Sequence, residues 1–193
     1  MDSGRSAWDA DRRLWNEHPT GCVSDISLTT IEGRFYRITR TDRAHIVLDP
    51  PRPVDCGRYH APGQTALYMS PTAEWARVAV SGYMREDGLP RVIFPLLVSR
   101  AHILDLRDES ACLRLGLDRE RANIPWRKIL AAGGRPPSWD VADAVRSIDA
   151  DGLIDRSRLR PGAWHVTLFR WNALGGPHVQ LDGNAEPIRQ TGS

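Results

Sequence analysis

Lysine is almost missing from this chain. Its 193 residues include 26 basic side chains, of which 25 are Arg and one is Lys, Lys128. Glutamate is scarce too, with seven Glu beside 17 Asp. A high-GC genome produces both biases with no functional input. They still bear on chemistry, because the guanidinium fork suits phosphate and carboxylate, and a mechanism that needs a Glu has few to draw on. The formal charge is only +2, which argues against a general nucleic-acid binder, where a basic excess or stripe is expected. Cysteine is sparse, odd in number and widely spaced, at Cys22, Cys56 and Cys112. That disfavours a disulfide framework and points to a reducing, cytoplasmic setting. No apolar run reaches the roughly 18 residues of a membrane span. Met1 to Arg13 is polar and charged rather than signal-like.

Familiar catalytic signatures are missing as well. There is no GxGxxG after a strand, no P-loop, no HExxH and no GxSxG. Cys56 and His60 form the one close Cys/His pair, and a pair falls short of the about four ligands of a zinc site, so no metal is expected.

What is present is a soluble composition, 41% hydrophobic and 26% charged, long enough for one domain with a real core. Gly33 to Thr39 carries the aromatic and β-branched content of a strand. The stretch from Thr41 to Gln64 holds Pro50, Pro51, Pro53, Gly57, Pro62 and Gly63, and reads as a long irregular loop. Such loops in compact domains are often functional. Thr65 to Met69 reads as a short buried strand, followed by a helix capped by Ser70 with Pro71 at its first position and running to about Met84. Arg91 to Val98 and His102 to Leu106 read as two strands, with Pro95 demanding an edge or bulge. Helices follow at Glu109–Leu115, Pro125–Ala132 and from Ser138, as N-cap, to Ile148. Further strands are expected at Gly152–Asp155, Trp164–Arg170 and His178–Leu181. The elements do not alternate as βαβ units, so the expected class is α+β in a single domain. Residues 1–33 read as an N-terminal extension, 34–183 as the domain and 184–193 as a tail.

Four short pieces recur in one order: Phe35-Tyr36-Arg37, Gly57-Arg58-Tyr59, Ala66 to Pro71 entering a helix, and Asp151 to Ser157 with Leu168-Phe169 behind it. Together they resemble the RES-domain family, toxins of bacterial toxin–antitoxin pairs, over about Phe35 to Trp171. The resemblance implies an ADP-ribosyltransferase-like fold, a mixed sheet flanked by helices. It implies an enzyme that consumes NAD⁺ by phosphorolysis or hydrolysis, or one that transfers ADP-ribose to a protein. It also implies an antitoxin partner with an Xre-type DNA-binding domain, so that any nucleic-acid contact would be indirect.

Under that resemblance, Arg37 and Arg58 are candidates for the two phosphates, and Arg58, Glu74 and Ser157 are the catalytic candidates. Tyr59 and Tyr68 are candidates for an aromatic wall against nicotinamide. Ser157, beside Arg156 and Arg158, is a candidate for phosphate of the dinucleotide or for an attacking inorganic phosphate. The family's carboxylate aligns near Arg77 to Ala79, where this chain has none. Glu74, the sole Glu of that helix, lies about one turn earlier and is either the catalytic carboxylate or a surface partner of Arg77. The family's Trp-Asn after Gly-Arg is replaced by Tyr59-His60. By residue type alone, Tyr68 reads as a core aromatic, Ser157 as a turn residue, and His102 and His165 as structural or exposed. Trp126, Trp139 and Trp164 read as packing. The displaced Glu leaves a third reading open, a degenerate domain that binds nucleotide or partner without turnover.

Overall fold

The fold is built on one long ribbon. In a computed structural model describing residues 26–188, β1 (Thr29–Arg40) and β3 (Arg91–Asp105) pair antiparallel along nearly their whole length. β1 therefore starts four residues before the expected strand, because Thr29 to Ile31 find partners in Ala101 to Ile103. The two strands expected within 91–106 are one. Val98 pairs with Gly33 and Ala101 with Ile31, so the interval holds an extra residue on β3, a bulge where a break was expected.

Pro95 sits mid-strand without harm. Its carbonyl accepts from Asp182 N at 2.9 Å, on the flank where β6 (Val179–Leu181) gives way to β7 (Glu186–Pro187). Its missing N–H looks out on that same flank, between two short strands, and costs β1 nothing. β7 lies within the stretch expected as a tail.

Among the described residues seven strands form one mixed sheet. Its main path is β1-β3-β4-β5-β2, with β4 (Gly152–Arg156), β5 (Trp164–Leu168) and β2 (Leu67–Met69). β3 and β4 are parallel; the other pairs are antiparallel. Tyr36 and Ser70 then exchange both backbone hydrogen bonds, at 2.7 and 2.9 Å. That bridge draws the end of β2 back to β1 and curls the sheet toward closure.

The bridge also changes how the first long helix begins. α1 (Ala73–Asp87) runs three residues past the expected Met84 and so takes in Glu86 as well as Glu74; it is capped by Thr72, whose Oγ1 accepts from Trp75 N at 3.1 Å, and not by Ser70. Ser70 is spent on the sheet. Past it, α2 (Glu109–Arg114), α3 (Trp126–Ala131) and α4 (Pro137–Ser147) follow where helices were expected. Ser138 is likewise no cap. It lies inside α4, fully buried, and its hydroxyl donates to the Arg58 carbonyl at 2.5 Å.

The sheet has a core on each face. Phe35, Leu67, Met69, Ile154, Val166 and Leu168 pack on one side. Leu153, Tyr59, Leu104, Val141 and Val145 pack on the other, with Tyr68 against them. The neighbours Leu153 and Ile154 fall in different cores, as the two-residue period of a strand requires. By the same alternation Tyr68, Thr167, His165 and Asp155 share the second face.

Gly152 permits a close approach of β4 to β5. A Cβ there would lie 2.1 Å from the Thr167 carbonyl oxygen and 2.8 Å from Leu168 Cα. Both are backbone and cannot turn aside. Gly152→Ala is expected to cost about 3 kcal/mol or more, read as a lower midpoint in urea unfolding. Its neighbour Asp151 is buried and structural: it accepts from His102 N at 2.7 Å and from Arg170 Nε at 2.5 Å.

Candidate active site

A cleft of about 420 Å³ opens where the curled end of the sheet meets α1 and the Pro/Gly-rich loop. Small-molecule sites run from roughly 300 to 1,000 Å³. Arg37, Arg58, Tyr59, Tyr68 and Ser157, proposed from sequence, all line it. The sequence segments that carry them are far apart, and the fold brings them together.

Glu74 does not join them. The stripe of α1 toward the cleft is Ala76, Ala79, Val80 and Tyr83, at helical spacing. Residues advance about 100° around a helix, so Glu74 points about 200° away from Ala76. Its side chain is 67% exposed and pairs with Arg160, not with Arg77. Glu74 therefore has no access to a ligand in this cleft. Among the described residues the sole carboxylate lining the cleft is Asp155, at the end of β4.

Asp155 is held by Arg58. Arg58 Nη1 donates to Asp155 Oδ2 at 2.5 Å, while Nε and Nη2 donate to the Ala122 carbonyl at 3.1 and 2.8 Å. The guanidinium also lies 4.9 Å from the Tyr59 ring centroid. Both partners are desolvated, with side chains 13% and 5% exposed. Burial acts against both charges. It raises the Asp155 carboxyl above the usual range although Arg58 pulls the other way. At Arg58 the burial is outweighed by Asp155 and the tyrosines, and the group stays above its ordinary value. Arg58 is thus largely occupied by the protein, unlike the free phosphate fork expected from sequence.

Arg37 is the contrasting case. Its Nη1 donates to the Tyr68 carbonyl at 3.1 Å, and its Nε is buried with no partner. No carboxylate among the described residues pairs with it. Burial pulls its pKa down to about 10. Arg158, in the loop after β4, also lines the cleft and is without an acidic partner among the described residues. Arg156 faces away, exposed. Ser157 directly follows β4, and its Oγ accepts from Leu159 N at 3.3 Å, so its hydrogen stays available to the cleft.

The two tyrosines are placed differently. Tyr59 is 1% exposed and belongs to the core, presenting almost no surface to a ligand. Tyr68 is anchored by its hydroxyl, which accepts from Tyr59 N at 3.0 Å and contacts His60 Nδ1 at 2.8 Å. The phenol can donate to Nδ1 or accept from it, and the other ring nitrogen, His60 Nε2, is buried without a partner. A Cβ at residue 57 would lie 2.6 Å from His60 Cε1 and 2.7 Å from the Tyr68 hydroxyl, so only Gly57 leaves room for this pair. Trp139 locks the same turn by donating from Nε1 to the Gly57 carbonyl at 2.7 Å.

His60 stays neutral. Burial first, then Arg146 and Arg37, bring its pKa from 6.5 to about 4. The unfolded chain takes up a proton that native His60 refuses, so its stability contribution is present above about pH 6.5 and is lost as pH falls toward 4. Urea midpoints across that window are expected to fall, and to fall less in His60→Gln.

Three cleft residues were not legible as site residues: Ser70, Asp155 and His165. His165 pairs directly across the ladder from Asp155, and its Nδ1 lies 2.8 Å from Ser70 Oγ. Cross-strand register is not written in local sequence, and no spacing rule could have joined these three.

Among the described residues no His, Cys, Asp or Glu cluster of metal-site size occurs, and no helix is long and apolar enough to cross a membrane. A comparison with curated protein sequences finds no match. Among solved structures, the toxin–antitoxin complex MbcT–MbcA of M. tuberculosis contains a chain that superposes with a TM-score of 0.63 at 15% identity. That likeness spans 86% of this chain and 89% of the other, and it shows a shared fold. The RES domain family matches residues 34–188, a span that takes in the whole cleft described above, and this chain belongs to that family.

Proposed function

We propose that the protein is a toxin-type enzyme that consumes NAD⁺ by cleaving the nicotinamide–ribose bond. The observation that carries this is Arg37, half-buried, with a buried unpartnered Nε and no acidic partner among the described residues, set in a small-molecule-sized cleft. A cation held this way is best satisfied by a bound anion. Arg158 adds a second unpaired cation, so the cleft suits a pyrophosphate. Tyr36 and Tyr83 give aromatic surface for a flat ring.

Cleavage releases neutral nicotinamide with the bonding electron pair and leaves positive charge on the ribose. Asp155, the cleft's carboxylate, supplies negative charge on that side, and Arg58 fixes its position. Water or phosphate then completes the bond at the ribose carbon, with phosphate accommodated by Ser157 and Arg158. A cognate antitoxin with an Xre-type domain is the proposed partner, in keeping with the family and with the complex that the solved relative forms.

The apolar α1 stripe favours a second reading, binding without turnover, because it offers no carboxylate. One experiment separates them. Clean protein is incubated with NAD⁺, with and without inorganic phosphate, and products are resolved by chromatography. Loss of NAD⁺ with nicotinamide release is expected, giving ADP-ribose in water and its phosphate ester in phosphate. Saturable binding with no product supports the second reading. Label from an NAD⁺ analogue on a protein band instead indicates ADP-ribosyl transfer. No binding and no product would sink both.

A further inference from the structure

We infer that His165 is the acid–base residue of this cleft, taking the proton of the acceptor that attacks the ribose. The inference rests on the NAD⁺-cleaving reading above and deepens it.

Three independent contacts place His165 for this work. It lines the cleft from β5, half-buried. Its Nδ1 is engaged by Ser70 Oγ at 2.8 Å, which fixes the ring. Its cross-strand partner is Asp155, so both side chains stand next to each other on one face of the sheet. Among the described residues no group hydrogen-bonds its Nε2, and that atom is not sealed off in the protein. In the tautomer whose Nδ1–H donates to Ser70 Oγ, Nε2 is a free base on a residue that lines the cleft.

The step balances simply. The C1′–N bond breaks and its electron pair returns to the nicotinamide ring. The acceptor oxygen forms the C1′–O bond, and its proton passes to His165 Nε2. The imidazolium so formed has the Asp155 carboxylate beside it, itself steadied by Arg58. The charged groups around His165 are Asp155 from β4, Arg58 from the loop and Arg158 after β4; α1 brings only Ala76, Ala79 and Val80 to this part of the cleft. Burial keeps the His165 pKa below its ordinary value, so the base is ready at neutral pH.

Ser70 is a positioning residue here. Its backbone closes the sheet against Tyr36, which fixes its hydroxyl relative to β5. Both roles come from one residue, and that explains why Ser70 is buried at 3% exposure yet borders the cleft.

The test uses the full chain, NAD⁺ and two acceptors. His165→Asn keeps a hydrogen-bonding group near the Nδ1 position and lacks Nε2; His165→Gln is its counterpart. Both are expected to bind NAD⁺ within about threefold of the parent and to lose about 10²-fold or more in kcat with water as acceptor. The loss is smaller with phosphate dianion, which has already shed a proton. The parent's kcat falls at low pH on a limb lying below pH 6.5, and both variants lack that limb. Ser70→Ala shifts the limb while lowering kcat less. Variants with parental kcat and limb, or with equal losses in both acceptors and an unchanged limb, would overturn the inference and leave NAD⁺ cleavage standing. A parent that leaves NAD⁺ intact overturns the cleavage reading and the inference with it.

Discussion

Arg37→Met is expected to keep the fold at least as stable as the parent while weakening dinucleotide binding about 10²-fold or more. The two effects have one origin. Arg37 is charged, its Nε is buried without a partner, and no carboxylate among the described residues offsets it. Its pKa of about 10 against an ordinary 12.5 means that folding disfavours its charged form. By linkage that cost applies at all pH values below about 10, neutral pH included, and amounts to a few kcal/mol at most. Methionine fills much of the same volume with no charge to desolvate. What it forfeits is the bond from Nη1 to the Tyr68 carbonyl, worth about 1 kcal/mol. The balance favours the variant or is near zero. Binding moves the other way, because each charge-assisted bond from guanidinium to phosphate contributes roughly 1.5–3 kcal/mol. Thermal melting and an NAD⁺ titration on the same two samples check this. A destabilised variant that still binds NAD⁺ tightly would mean that Arg37 holds the fold and not the ligand.

The family resemblance and the class of the fold were legible because both rest on local signals. Gly57-Arg58-Tyr59 and Asp151-Gly152 each prove to have a local steric reason: Gly57 admits the His60–Tyr68 pair and Gly152 admits the Thr167 carbonyl. Helices α2 and α3 were readable from their stops. Caps were misread where a serine had a tertiary use. Ser70 closes the sheet and Ser138 binds the Arg58 carbonyl, and neither use leaves a trace in neighbouring residues. The same limit explains the carboxylate. Sequence order suggested Glu74 because it sits in the right helix, but the face decides: Glu74 lies about 200° round the helix from Ala76, and its side chain ends toward solvent beside Arg160. Asp155 became visible only through the register that sets it against His165 and the loop that delivers Arg58 to it.

Arg58 and Asp155 behave as a unit, and a double-mutant cycle should show it. Asp155→Leu alone leaves the Arg58 guanidinium desolvated with only the Ala122 carbonyl and the Tyr59 ring for company. Arg58→Met alone leaves a buried carboxylate, its side chain 5% exposed, beside a tyrosine core. Breaking a buried pair from either side costs about 3–5 kcal/mol, because the remaining charge is uncompensated. Removing both is far cheaper, since two apolar side chains can occupy the space without any charge to desolvate. Urea unfolding is therefore expected to place the double variant closer to the parent than either single variant, by about 2 kcal/mol or more. NAD⁺ turnover should be absent from all three. Recovery of stability without recovery of turnover is the signature of a pair kept for its chemistry, because an apolar replacement would serve the fold as well. Single-variant costs that simply add in the double variant would show instead that the two residues act separately, with Asp155 free to adopt other partners.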